Sequence, residues 1–406
     1  MLTRQNIIDY CNQYHFDIRV SGNGRWIDQK CAIDVVSVIA DCILNYDLEH
    51  TNEFFTTPDI WHYRYAVENV QDIFRKPGVE SVAAKNEYDK FFQQPMEMLA
   101  AAKVLTKEKR GSRNYYRVGN RDVLEYIALR ERNALNFLVA YIEKVLRDSG
   151  LFGVFENFFN HQIKSNYELM KDSFSDFTIR YTKINGVTEC NRIFIKVLNP
   201  LAFSRQSLGT EKGRISKQFI TYDMLMYNRN NFRDVYADKP KGMTRREYAA
   251  QHPVDVNRAY SRYQSARAKR FLRRFNDNYR DGLTEHIETG YTNDRAIHMH
   301  HIFPEADYPE ICYFLENLIA LTPTQHLNYA HPNGRTQEIN EQYQHLLLLS
   351  KADRIKENIL NTDVDTIYEF ENFLLVLNTG FDDDDVLDIT DMDFDSVIAS
   401  INTHYS

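Results

Sequence analysis

The chain has 406 residues, of which 43% are hydrophobic and 26% charged, and this balance excludes a mostly disordered chain. The length suggests two or three domains, and no apolar run approaches the roughly 20 residues that a membrane helix needs. The first residues lack the pattern of a secretory signal, so we expect a cytoplasmic protein without a membrane partner. The five cysteines are widely spaced and include no C-x-x-C pair, which argues against a disulfide scaffold and against a zinc ribbon.

Two helices and a hairpin are predicted in succession in the N-terminal region. Apolar spacing predicts helices over Glu87–Phe92 and Met96–Val104, separated by a proline. Alternating residues then predict a β-hairpin with a glycine turn and a basic tip, which carries Arg110 and Arg113. This order resembles a winged helix–turn–helix domain, in which the second helix enters the major groove of DNA and the wing contacts phosphate. A hairpin that serves only for packing is the alternative interpretation.

Several further elements are predicted along the chain. Apolar spacing predicts helices over Asp34–Tyr46, Val123–Leu146 and Tyr368–Leu377. Alternation predicts two paired strands over Phe177–Lys183 and Arg192–Val197.

Positive charge is concentrated in the middle of a chain whose net charge is −8. Residues 191–280 carry 20 basic and 7 acidic side chains, whereas residues 361–406 carry 12 acidic side chains and no Lys or Arg. Phosphate binding needs only one positive face, so this basic block predicts contact with nucleic acid. A solvated helix face is the alternative. The basic candidates here are Arg214, Lys217, Arg229, Arg233, Arg245, Arg246, Arg270, Arg273 and Arg274.

A histidine-rich strand is predicted further along the chain. The sequence from Ile297 reads Ile-His-Met-His-His-Ile-Phe-Pro. Alternation along a strand places His298 and His300 on one face and His301 on the other.

A second strand and a capped helix follow this strand. Asn317 precedes the predicted strand Leu318–Leu321. Thr322 is a suitable helix N-cap and Pro323 suits the first helical position, so His326 is predicted to lie on a helix.

This order of residues resembles the HNH, or ββα-metal, nuclease family. The resemblance covers about forty residues and consists of a strand ending in His-His-Ile-x-Pro, an Asn that starts a second strand, and a His nine residues after that Asn. It implies that His300 and His326 bind one divalent metal ion, that His301 is the general base, and that Asn317 holds the loop and orients the base. The implied ion is Mg²⁺ or Mn²⁺, with Ni²⁺ or Zn²⁺ as alternatives.

These residue types suit phosphodiester hydrolysis, because imidazole can deprotonate water near neutral pH and a divalent cation stabilises charge on phosphate. Unlike many members of the family, the chain lacks two C-x-x-C pairs. Some members place another metal His four residues after the helix ligand, where this chain has Ala330. His298, Asn328 and His331 are therefore further candidates, with His331 as a phosphate contact or a third ligand. A structural zinc site or a set of unrelated core histidines is the alternative.

The predicted fold class is α+β with several domains. We expect a winged-helix-like DNA-recognition domain over 1–150, a basic DNA-binding region over 151–280, an HNH nuclease domain over 281–360 and an acidic helical extension over 361–406. The predicted function is a bacterial restriction-type endonuclease that cuts double-stranded DNA as a homodimer. A homing or phage-type nicking enzyme, a DNA-binding regulator with a degenerate nuclease domain, and RNA as the substrate are the alternatives.

Overall fold

The computed structural model describes residues 1–80, 84–227, 240, 242–251, 258–286, 294–331 and 339–406. The chain divides into two compact units, 2–231 and 232–406, and the division falls inside the predicted basic region 151–280. Helices predominate in both units and are accompanied by two-stranded antiparallel sheets, so the predicted α+β class is confirmed. None of the helices in the described ranges is both long and apolar enough to cross a membrane.

The unit 2–231 is mainly helical. Its helices are α1 (Arg4–Asn12), α2 (Ile18–Ser21), α3 (Ile33–Glu49), α4 (Thr57–Trp61), α5 (Arg64–Phe74), α6 (Ala84–Ala101), α7 (Arg121–Leu129), α8 (Glu131–Asp148), α9 (Phe152–Asn160), α10 (Lys164–Tyr181) and α11 (Val187–Ser204). Its strands are β1 (Leu105–Arg110), β2 (Arg113–Val118), β3 (Leu208–Glu211) and β4 (Arg214–Phe219). The helix predicted over Asp34–Tyr46 is confirmed as α3, whose buried valines and isoleucines pack against α5, α6, α7 and α8.

The prediction that a proline separates two helices near residue 95 is wrong. Helix α6 continues through Pro95, which removes one backbone hydrogen bond and costs about 3 kcal/mol in a helix interior. Phe91, Phe92 and Met96 on this helix are fully buried, and each such side chain stabilises the fold by roughly 1.5–3 kcal/mol. The burial of these side chains therefore outweighs the cost of the proline. Because α6 is one continuous helix, it does not contain the turn that separates the two helices of a winged helix–turn–helix domain.

The predicted hairpin is confirmed as β1 and β2. The strands pair antiparallel with Arg110 opposite Arg113, and Gly111 in the turn has a φ of 60°, a conformation that favours glycine. The Tyr116 hydroxyl donates a 2.5 Å hydrogen bond to Glu97 of α6, which attaches the inner face of the hairpin to that helix. The outer face remains exposed to solvent.

The single helix predicted over Val123–Leu146 is instead two helices, α7 and α8. Arg130 between them is extended, with φ −164° and ψ 160°. The Asn133 amide donates a 2.9 Å hydrogen bond to the carbonyl oxygen of Tyr126, which satisfies a group left unpaired where α7 ends. The bend lets both helices pack against α3.

The predicted strands over Phe177–Lys183 and Arg192–Val197 are also wrong, because these residues lie mostly in helices α10 and α11. In α11 the buried residues Ile193, Phe194 and Val197 follow a helical spacing. Short apolar segments fit both periods, and packing between the two helices decides in favour of the helix.

The unit 232–406 contains the histidine-rich segment. Its helices are α12 (Arg245–Gln251), α13 (Arg258–Tyr279), α14 (Glu341–Leu360), α15 (Phe370–Phe381) and α16 (Phe394–His404), and its strands are β5 (His298–His301) and β6 (Leu318–Leu321). Helix α13 packs against both strands, and α14 packs against α16.

The acidic C-terminal region packs on its own unit. The helix predicted over Tyr368–Leu377 is confirmed as α15, although it begins and ends later than predicted. Its side chains Phe370, Phe373, Leu374 and Leu377 are all buried within the chain. They therefore need no partner subunit to cover them.

Candidate active site and metal centre

Strands β5 and β6 form the frame of the site. They pair antiparallel, with His300 opposite Ile319 and His301 opposite Leu318. The predicted strands are confirmed at both places, and β6 is buried along its whole length. Because successive side chains of a strand point to opposite faces, the side chains of His300 and His301 lie on opposite faces of β5 and have different surroundings.

Asn317 joins the two ends of the loop between these strands. Its amide oxygen accepts a 2.8 Å hydrogen bond from the Phe303 backbone N–H, and its amide nitrogen donates to the carbonyl oxygens of Phe303 (2.9 Å) and Ile311 (3.3 Å). The side chain is fully buried. The hydrogen bond to Ile311 fixes the backbone next to Cys312, whose carbonyl oxygen contacts His301.

The tautomer of His301 follows from this contact. His301 Nε2 lies 2.9 Å from the carbonyl oxygen of Cys312, which can only accept, so Nε2 carries the proton. The same N–H lies 3.3 Å from the hydroxyl of Ser265, and that hydroxyl donates to Glu305 at 3.2 Å. The lone pair on Nδ1 is therefore available to accept a proton.

A π-helix carries His326. Gln325–Ala330 forms this element, and the His331 backbone N–H closes it with a 3.2 Å hydrogen bond to the carbonyl oxygen of His326. Its start is held by Gln325, whose buried side chain bonds to Thr322 and Thr284. A π-turn spans five residues where an α-turn spans four, so it brings residue 331 next to residue 326.

Three imidazoles meet as a result. The ligand nitrogens of His300, His326 and His331 all lie within 4.8 Å of one another. Among the residues that the structure describes, no Cys, Asp or Glu joins these three histidines in the cluster. His298 stacks on His326, with ring centroids 4.5 Å apart. Asn328 is exposed on the π-helix.

The charge states of the cluster suit a cation. Burial, followed by the neighbouring imidazoles, holds the pKa of His300 well below its usual range. Burial, followed by His298, lowers the pKa of His326 to about 4. Both rings are therefore neutral at physiological pH and present lone pairs, the form that binds metals.

The residues also fit a metal ion by geometry. His326 Nδ1 is buried and has no hydrogen-bond partner in the described part of the chain, which costs roughly 1–3 kcal/mol unless a ligand meets it. Two metal–nitrogen bonds of about 2.1 Å span at most about 4.2 Å, which is close to the 4.8 Å within which the three nitrogens lie. Small side-chain rotations would bring the three nitrogens onto one ion.

Sequence reasoning missed three residues that support the site. Ser265 contacts His301 from helix α13, 36 residues earlier in the chain, and nothing in the local sequence indicates it. Gln325 stands three residues after the N-cap Thr322, the position that a capping box favours, so this signal was present in the sequence. Lys269, one helical turn beyond Ser265, acts electrostatically on His300, His301 and His326.

The predicted DNA-binding residues are distributed over both units. Those on the hairpin and on β4 are exposed, as are those on α13: Arg110, Arg113, Arg214, Lys217, Arg270, Arg273 and Arg274. Arg229 and Arg233 lie outside the described residues, as do the side chains of Arg245 and Arg246. On the hairpin, Arg110 stacks on the rings of Phe54 and Tyr115 at 4.6 and 4.8 Å. This packing holds the guanidinium group of Arg110 on the outer face of the hairpin.

No protein-family model, no curated protein and no solved structure matches this chain. The interpretation of the site therefore depends on its own residues and geometry.

Proposed function

We propose that this protein is a metal-dependent endonuclease of the type II restriction kind, which hydrolyses phosphodiester bonds in double-stranded DNA. The observation that carries the proposal is that His301, a histidine of fixed tautomer, directly follows His300 of the three-histidine cluster along β5. A general base and a cation site are the two components that this hydrolysis requires.

His301 takes the role of general base. Burial, followed by the charge of Lys269, lowers the pKa of His301 to about 4, so the ring is neutral at physiological pH. Nδ1 can then remove a proton from the attacking water while Nε2–H stays bonded to Cys312. The negative charge of bound DNA raises the pKa of the ring and strengthens it as a base.

His300, His326 and His331 would hold a divalent cation. When bound, such an ion stabilises the charge that develops on the phosphate and on the leaving oxygen. Three imidazoles suit Mn²⁺, Ni²⁺ or Zn²⁺ better than Mg²⁺, which prefers oxygen ligands. His298 packs against His326 and holds its ring in place.

The homodimer is proposed from the number of sites. One base and one cation site per chain cut one strand at a time, so a double-strand break at a short site needs two copies related by a two-fold axis. Light scattering of the protein on its DNA tests this directly. Two chains per duplex support the dimer, and one chain per duplex with a cut in a single strand supports a nicking enzyme.

The experiment that tests the function is digestion of a plasmid of known sequence. Purified protein is incubated with the plasmid and Mn²⁺, Ni²⁺, Zn²⁺ or Mg²⁺, with EDTA as the control, and the fragment ends are sequenced. We expect discrete fragments with a common sequence at their ends. An intact plasmid in all four metals, with a correctly folded protein, would contradict the proposal.

A further inference from the structure

One face of helix α13 follows the candidate active site for about two helical turns. Ser261, Ser265 and Lys269 are spaced four residues apart, so their side chains lie above one another on this face. The Ser261 carbonyl oxygen accepts a 3.5 Å hydrogen bond from the thiol of Cys312. Ser265 contacts His301 and Glu305, as described above. The next turn of the same face therefore brings Lys269 to the edge of the site.

The ammonium group of Lys269 is influenced by burial and by a nearby carboxylate. Burial lowers the pKa of its ammonium group, and the carboxylate of Glu305 opposes this effect. Lys269 stands one turn after Ser265, which lies 3.3 Å from His301, so the charge of the ammonium acts on the base and on the cluster beside it.

Lys269 differs from a lysine that serves only to support the fold. Lys351 in the same unit is completely buried, and it donates a 2.7 Å hydrogen bond to Tyr368 and lies 3.5 Å from Glu285. Lys269 is only partly buried, at the border between the core and the solvent. Its side chain is therefore partly accessible to a ligand that enters the site.

We propose that Lys269 is a further catalytic residue, whose ammonium group binds the phosphodiester group that is cleaved. The inference rests on the proposed nuclease function. The carboxylate of Glu305, whose side chain is 38% exposed, lies 3.9 Å from His301 and repels the phosphate. The Lys269 ammonium offsets this repulsion and adds a compact positive charge, the form in which lysine binds phosphate.

Lys269 should contribute to the rate of cleavage more than to the affinity for DNA. A duplex presents many phosphates to the exposed arginines of α13, so the loss of one contact changes the total affinity little. The cleaved phosphate, in contrast, gains negative charge in the transition state, and a fixed cation beside it lowers the barrier. Lys269 should therefore act on the rate at saturating protein.

The test compares Lys269→Met with Lys269→Arg, with Lys356→Met as the matched control. Lys356 is an exposed lysine on α14 whose ammonium lies 5.8 Å from the ring of Phe394, so its loss removes the same charge from the same unit. Single-turnover cleavage of one duplex is measured in Mn²⁺ at saturating protein, and the Kd for the duplex is measured without metal. Thermal unfolding checks that each variant is folded.

We expect Lys269→Met to slow cleavage by on the order of 10²-fold, with less than about a tenfold change in Kd. Lys269→Arg should recover most of the rate, and Lys356→Met should remain within about twofold of the wild type. Wild-type cleavage by a folded Lys269→Met, beside an inactive His301→Ala, would overturn the inference and leave the nuclease function intact. No cleavage by the wild type in any metal would overturn both.

Discussion

The backbone N–H of His331 bonds to the carbonyl oxygen of His326 at 3.2 Å, and the centroids of the two rings lie 4.9 Å apart. This single π-turn brings a third histidine to the pair that the sequence pattern indicates. π-turns inside helices are rare and occur frequently at functional sites.

The first prediction concerns this third histidine. His331→Ala should weaken Mn²⁺ binding by on the order of 10²-fold, because one of three imidazole ligands is lost. Isothermal titration calorimetry measures the effect. Asn328→Ala is the control, since Asn328 is exposed on the same π-helix. Equal Mn²⁺ affinities for the His331 variant and the wild type would exclude His331 as a ligand.

The second prediction concerns the choice of metal ion. A site of imidazoles alone should support faster cleavage with Mn²⁺ or Ni²⁺ than with Mg²⁺. Initial cleavage rates at equal free metal concentrations, after EDTA treatment and dialysis, measure this preference. Activity with Mg²⁺ only would indicate oxygen ligands and would contradict the three-histidine site.

The third prediction concerns Asn317. Asn317→Ala leaves the backbone N–H of Phe303 and the carbonyl oxygens of Phe303 and Ile311 without this partner, and each buried unpaired group costs roughly 1–3 kcal/mol. The free energy of unfolding, from urea denaturation, should fall, and cleavage should fall with it because Cys312 no longer fixes His301. Asn361→Ala, at an exposed end of α14, is the control. An unchanged free energy of unfolding would show that Asn317 does not hold the loop.

The fourth prediction concerns the contact between α15 and the loop of the active site. A Cβ at Gly380 would overlap the ring of Phe303, whose backbone is bonded to Asn317. Gly380→Ala should therefore destabilise the protein by about 1–3 kcal/mol and slow cleavage. Gly153→Ala is a matched control, because a Cβ there meets no atom within 4 Å and the substitution should stabilise helix α9 by about 0.4–1 kcal/mol. If Gly380→Ala has the stability of the wild type, α15 does not support the loop.

The part of the site that is local in sequence could be predicted. The alternation of the histidines and the apolar run before Thr322 define β5, β6 and the helix start, and the structure has them at these positions. Pro95 shows the opposite case, because the burial of its neighbours on α6 outweighs the local preference of proline. Helical periodicity also gives no indication of a π-turn. The sequence therefore indicates His331 only as a further candidate and does not show that it lies beside His300 and His326.

Contacts between distant segments could not be predicted either. Ser265 and Lys269 come to the site only because α13 packs against β5 and β6. Gly380 supports the loop from a helix about 80 residues further along the chain. A single sequence contains no signal for such pairs, since each depends on the packing of complete elements.

The measurement that tests the account most directly is single-turnover cleavage of DNA by His301→Ala. The loss of a general base should slow cleavage in Mn²⁺ by about 10²–10⁴-fold, while Kd for DNA and Kd for Mn²⁺ remain close to those of the wild type. His161→Ala, an exposed histidine in the other unit, should cleave at the wild-type rate. Cleavage by a folded His301→Ala at the wild-type rate would show that His301 is not the base and would contradict the account.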